Sequence, residues 1–261
     1  MSSTGSTGTA KRIAIRPRVA DQTLSSWGHR GRGETLVVCF SGVGKEHEAC
    51  PSYEFARTAS FDGAGHALFI ADPQRSWLNT PALAARIAVE VVRFKQEVGA
   101  RKVVAMGHSM GGFSALILPS LLPIENVLAF APQISVDPDH VPDETRWAEY
   151  RDHISDFIYP SAQEHLTTQT GYTIIHGAHH REAPQRDRFV PFDTLSHYVL
   201  PNTHHNVPQR LKRMGRLQQV VRLALTGRRR KLRQMMVQDL GATMPDNGPK
   251  AMRDLMMAEP V

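Results

Sequence analysis

The sequence predicts a doubly wound α/β fold around a mostly parallel sheet. Short, nearly continuous apolar runs alternate with longer stretches of helical period, and such runs read as strands buried on both faces. A chain of 261 residues can bury one sizeable core of this kind, and its length favours one domain over two. Ligands of such sheets bind beyond the carboxyl ends of the strands, so chemistry is expected in the residues that follow each run.

The runs, in order, are TLVVCF (35–40), HALFIA (66–71), KVVAMG (102–107), NVLAFA (126–131), YTIIH (172–176) and HYVL (197–200). Between the second and third, PALAARIAVEVVRFKQEVGA sets Leu83, Ile87, Val91 and Phe94 at helical spacing. Pro81 near its start and Gly99 near its end are the expected helix punctuation. Residues 1–12, dominated by Ser, Thr and Gly, are expected to be a disordered tail. The α/β domain is expected over 13–226, with a small cap insertion at about 134–171, followed by a basic, partly disordered extension over 227–261. No internal repeat is found.

An apolar fraction of 41% and a charged fraction of 21% are ordinary for a soluble globular protein. No apolar run approaches the roughly 18 to 20 residues of a membrane span. The start lacks the apolar centre of a secretory signal, so a cytoplasmic address is expected. Cys39 and Cys50 suggest no disulfide. Much of the formal charge of +6 sits at Lys11, Arg12, Arg16 and Arg18 and between Arg210 and Lys231. It reads as a solvated helix face with a basic extension. No aromatic residue interleaves the late basic run, which argues against a nucleic-acid partner.

The third run leads directly into GHSMGG, Gly107 to Gly112, and then into the apolar helical stretch FSALILPSLL. That is Gly-x-Ser-x-Gly in a strand-turn-helix setting, which makes Ser109 the candidate nucleophile. The helix start offers the Met110 N–H and a positive dipole end to an oxyanion. From about Thr35 to about Leu217 the chain resembles the α/β-hydrolases, with GHSMGG as the nucleophile elbow. The resemblance implies a second oxyanion N–H from CFSGVGKE, at Val43, where Ser-Gly replaces the family's common His-Gly. Gly42-Val43-Gly44-Lys45 is not a phosphate loop, because Cys39 stands five before Gly44 and Glu46 follows Lys45.

A serine nucleophile needs a base, and the base needs a carboxylate to hold its tautomer. In the family these follow in the order Ser, acid, His. After YTIIH the available acids are Glu182, Asp187 and Asp193. Asp187 is selected, because it lies past the strand end with room for the loop to fold back. Asp137, after the preceding strand, is the alternative acid. After HYVL, the loop PNTHHNV offers His204 and His205. His205 is favoured as the base, because His205-Asn206-Val207 matches the family's His-x-Val before a helix, and His204 is the alternative.

Arg75, Trp77 and His176 leave strand ends on the same edge and are candidate substrate contacts. His176, His179 and His180 lack the cysteines or spaced carboxylate of a metal site, so no metal or cofactor is expected. His108 reads as structural. The cap is acidic and aromatic, with Trp147, Tyr150, Phe157 and Tyr159, and suits a polar or carbohydrate-linked ligand better than a triglyceride. FSGVGK, DPQRSW and the APQ-to-RW stretch resemble bacterial hydrolases of polysaccharide-related settings. The expectation is therefore a carboxylic ester hydrolase acting on a small-molecule or carbohydrate-linked ester through an acyl-enzyme. The alternatives are an acyltransferase using the same triad and a non-catalytic scaffold that kept the fold.

Overall fold

The computed structural model describes residues 13–46 and 49–245. The expected tail at 1–12 and the end of the extension, 246–261, lie outside the described residues. In chain order the elements are β1 (Arg16–Ala20), β2 (Ser25–His29), β3 (Thr35–Phe40), α1 (Ala56–Ala59), β4 (His66–Ala71), α2 (Leu83–Val98), β5 (Lys102–His108), α3 (Met110–Ile117) and β6 (Asn126–Phe130). There follow α4 (Ala148–Arg151), β7 (Gly171–Gly177), α5 (Ala183–Arg186), β8 (Leu195–Leu200), α6 (Val207–Arg213), α7 (Leu217–Leu225) and α8 (Arg229–Gln234).

The strands form one open sheet in the order β1-β2-β4-β3-β5-β6-β7-β8. The six apolar runs are the parallel strands β3 to β8. Alternation along each strand feeds two cores: in β3, Leu36, Val38 and Phe40 join one, and Val37 and Cys39 the other. The first core is closed by α2 and α3, and the second by residues of α6, α7 and α8. Leu83, Ile87, Val91 and Phe94 form the buried stripe of α2. That helix stops at Gly99, whose φ of 70° lets its own N–H and that of Ala100 close on the Gln96 and Lys95 carbonyls.

β1 and β2 form a hairpin that pairs antiparallel with β4. Their sequences, RPRVA and SSWGH, have no apolar run, so they are silent to a search for buried strands. Polar contacts to α2 hold them instead: Arg18 Nε donates to Glu90 at 2.6 Å, and its guanidinium lies over the Phe94 ring at 4.4 Å.

The domain does not end at residue 226. Leu232, Met235, Met236, Leu240 and Ala242 are buried in the second core, and Thr243 bridges to Val199 of β8. The basic residues of α8 occupy its outer side, so 227–243 is an amphipathic closing segment and not an appended tail. Between β6 and β7 the cap folds onto the first core through Ile134, Val136, Val141 and Ala162, with Trp147, Tyr150, Phe157 and Tyr159 packed against it. Cys39 and Cys50 are free thiols. Among the described residues no helix is long and apolar enough to cross a membrane.

Candidate active site

The elbow is built by close approach. Ser109 sits at φ 57° and ψ −125°, between the last residue of β5 and the first of α3. A non-glycine residue in this region is strained, and packing holds it there. A Cβ on Gly107 would stand 2.1 Å from the Gly111 carbonyl oxygen, and one on Gly111 would stand 2.4 Å from that of Phe40. Both glycines are therefore required for α3 to fold back over β5 and β3. The Ser109 N–H is tied to the Phe130 carbonyl at 2.9 Å.

His205 lies in the loop after β8, immediately before Asn206, whose side chain caps α6 by accepting the Gln209 N–H. Its Nε2 is 2.9 Å from Ser109 Oγ, and its Nδ1 is 3.0 Å from Glu182 Oε2. The direction of the protons follows from Trp77. Its indole N–H can only donate, and it lies 3.1 Å from Gln133 Oε1. The Gln133 amide therefore turns its NH2 to Ser109 Oγ, at 3.1 Å. Ser109 accepts that bond and keeps its own hydrogen for His205 Nε2. The histidine must then carry its proton on Nδ1 and donate it to Glu182.

Glu182 is 2% exposed, and its Oε1 takes a bond from Arg146 Nη1 at 2.5 Å. Burial alone would raise its pKa; the bond and charge of His205 and the charge of Arg146 outweigh burial and hold it at about 2. Arg146 is itself clamped by Glu144 at 2.6 Å. His108 donates from Nε2 to the His205 carbonyl at 3.1 Å and so ties the elbow to the histidine loop. Burial, then the neighbouring His205, pushes its pKa down to about 3, which keeps it neutral.

The structure brings Ser109 and His205 together and leaves Asp187 out. Asp187 ends α5, is half exposed, and pairs with Arg186 at 2.6 Å. A tight turn at His180–Glu182 folds the chain back at the end of β7, which delivers Glu182 to His205 and carries Asp187 past it. Asp137 is likewise elsewhere: its Oδ1 accepts the Asp139 N–H and its Oδ2 lies 3.3 Å from His140. His204 is exposed and stacks on His179, with ring centroids 4.0 Å apart.

The three candidate substrate contacts all turn inward. Trp77 and His176 are 0% exposed, and His176 is spent on the Pro132 carbonyl and His197. Arg75 is buried beneath the loop after β3, where its Nε donates to the Val43 carbonyl at 2.8 Å and its Nη2 to the carbonyls of Glu46 and Ala49. It fastens the loop that carries Val43. The N–H of Gly42 in that loop is taken by Glu54 Oε2 at 3.3 Å. The N–H groups of Val43 and Met110 have no acceptor among the described residues. Sequence reading missed Gln133, for a lone Gln after a strand carries no motif.

Ser109, His205 and Val43 line a cleft of about 970 Å3 whose walls include Phe55, Trp147 and Leu217. Trp147 packs over His205 with ring centroids 5.6 Å apart. Among the described residues no group of three or more His, Cys, Asp or Glu is placed to hold a metal ion.

No family model matches the chain, and no curated protein matches it by sequence. Solved structures do match its fold. The capsule O-acetyltransferase of Neisseria meningitidis serogroup A superposes with a TM-score of 0.54 at 13% identity, over 82% of this chain and 97% of that one. Est1E from Butyrivibrio proteoclasticus gives 0.53 at 15%, over 79% and 95%. The Pyrococcus furiosus esterase Pf2001 gives 0.53 at 13%, over 80% and 91%. What these proteins share with this chain is the α/β-hydrolase fold, an open sheet of mostly parallel strands with helices on both faces.

Proposed function

We propose that the chain is a serine hydrolase that cleaves a carboxylic ester through a Ser109-His205-Glu182 triad. The observation that carries this reading is the continuous path from Ser109 Oγ to His205 Nε2 at 2.9 Å and from Nδ1 to Glu182 at 3.0 Å. Ser109 Oγ attacks the acyl carbonyl while its proton passes to His205, which becomes an imidazolium stabilised by the buried carboxylate. The N–H groups of Val43 and Met110 receive the developing oxyanion. His205 then returns the proton to the leaving oxygen, and the acyl group remains on Ser109 until water, deprotonated by His205, releases it. The polar amides of Asn206, Gln209 and Gln218 beside the aromatic Trp147 support a polar or carbohydrate-linked ester as substrate.

Acyl transfer through the same acyl-enzyme is the second reading. Its support is the volume of the cleft, about 970 Å3, which has room for an acceptor beside the acyl group, and the fold shared with a capsule O-acetyltransferase. The two differ only in whether an acceptor displaces water. A non-catalytic scaffold has no use for a strained serine aligned with a histidine and a buried, ionised carboxylate.

Labelling with a fluorophosphonate probe tests the reading. Wild-type protein is expected to take the label at Ser109, and His205→Ala to lose nearly all of it. Unlabelled wild-type protein that is shown to be folded would refute the hydrolase.

A further inference from the structure

The cleft is charged asymmetrically. At its inner end, beside the nucleophile, stands one carboxyl, Glu54, bonded to the Gly42 N–H. A Cβ built on Gly42 would lie 3.9 Å from Glu54 Oε2 and 3.8 Å from Ser109 Cβ, so this acid is close to the reacting centre. Among the described residues, the other ionisable side chains besides histidine that line the cleft are cations from three separate elements: Lys45 after β3, Arg57 on α1 and Lys212 on α6. Lys45 and Lys212 have no carboxylate within ion-pair distance among the described residues, and Arg57 reaches only the exposed Asp62, at 3.6 Å. Arg210 and Arg213, on the same helix as Lys212, do not line the cleft, so the convergence is more than the general basicity of α6.

Geometry sets the spacing. Lys212 is five residues beyond Val207, about 7.5 Å along the helix axis, and Val207 follows His205 by two. The backbone of Lys212 therefore lies on the order of 10 Å from the base along this path, and its four-carbon side chain extends from there. A cleft of about 970 Å3 is much larger than a short acyl group and accommodates a ligand that spans this distance. The Glu54 carboxyl offers a substrate anion no favourable charge beside the nucleophile, and the cations favour an anion at the walls they line.

We infer that the substrate carries an anionic group, phosphate or carboxylate, on the part that projects away from the scissile carbonyl, where Lys45, Arg57 and Lys212 receive it. This deepens the hydrolase reading and rests on Ser109 being the nucleophile. Phosphate and carboxylate present the same chemistry to three cations, so the test has an arm for each.

Paired esters read the inference directly. S-Acetyl-4′-phosphopantetheine and S-acetylpantetheine share one acetyl thioester and differ in a phosphate. 4-Acetoxybenzoate and 4-acetoxybenzamide share one aryl acetate and differ in a carboxylate. In at least one pair, kcat/KM is expected to favour the anionic member by about tenfold at low salt, with each cation contributing a factor of about two to five. The preference is expected to shrink as sodium chloride is added and to fall to about twofold in K45Q/K212Q, where Arg57 alone remains, while Lys102→Gln, at the opposite end of β5, retains it in full. Turnover without preference in either pair overturns the inference and leaves the hydrolase standing. If nothing is turned over, calorimetric titration with pyrophosphate and with citrate decides the inference, and the hydrolase reading itself fails only if Ser109 also takes no label. Salt-sensitive binding that K45Q/K212Q loses supports it; no binding of either anion overturns it.

Discussion

Trp77 never meets the cleft, yet its indole N–H fixes the Gln133 amide and so sends the Ser109 hydrogen to His205. Replacing it with Phe frees that amide to rotate and to accept the serine hydrogen through Oε1, in competition with the base. Trp77→Phe is expected to lower kcat about tenfold, the scale of one misdirected hydrogen bond, with KM little changed. In the double-mutant cycle, adding Gln133→Leu to Trp77→Phe is expected to cost less than adding it to wild type. The acid offers a sharper contrast. Glu182→Gln is expected to lower kcat by a factor of about a hundred to ten thousand, whereas Asp187→Asn, which loosens only an exposed pair with Arg186, stays within about twofold. A sequence holds the elbow and the His-x-Val legibly, because each is a local pattern with a local cause. It does not hold the choice among Glu182, Asp187 and Asp193 in the same way. That choice is made by the turn at 180–182 and by Arg146, which arrives from the cap 36 residues earlier.

The parallel strands were legible for a similar reason. β3 and β4 occupy the apolar runs 35–40 and 66–71 residue for residue, because burial on both faces leaves no polar position to blur the pattern. Edge elements are written in another code. The β1–β2 hairpin depends on Arg18, Glu90 and Phe94 meeting across more than 70 residues, and no window of sequence contains them together. In α8 and the π-helical turn after it, Arg and Lys conceal a stripe of Leu232, Met235 and Met236. Its packing makes a concrete difference to truncation. A chain ending at residue 226 loses these side chains together with Leu240 from the second core. At about 1.5 to 3 kcal/mol for each large apolar side chain, the cost is comparable to the whole stability of a domain. That chain is expected to be insoluble or unfolded. Circular dichroism melting of the truncation beside the full chain checks this, and a cooperative transition at the full chain's midpoint would show that the segment does not support the second core.

Across the whole molecule, the parts that hold the site also tie its stability to pH. His176 donates to the Pro132 carbonyl from Nε2 and accepts the His197 Nε2–H on Nδ1, and both rings are buried in the sheet. Burial first, then the charge of Arg186, pushes His197 down to about 4 from the ordinary 6.5; burial and His197 likewise depress His176. Unfolded, both rings take protons as pH falls through 6.5, while the folded pair does not. The unfolded state then binds more protons, so acidification destabilises the fold, by about 1.4 kcal/mol per pH unit for each histidine. Below 4.5 Glu182 adds to the loss, because the native contacts that hold its pKa at about 2 favour its ionised form. Asp72 and Glu54, both raised by burial, act in the opposite sense, since the folded state holds their protons longer as pH rises. A difference measurement separates these contributions. His197→Gln retains a donor for His176 Nδ1 and removes one titrating ring. Between pH 6.5 and about 4, the slope of unfolding free energy against pH is expected to be shallower in this variant by about 1.4 kcal/mol per unit, as read from urea denaturation at several pH values. Equal slopes in the two proteins would show that His197 is already charged in the folded state, and the neutral pair at the end of β7 would have to be abandoned.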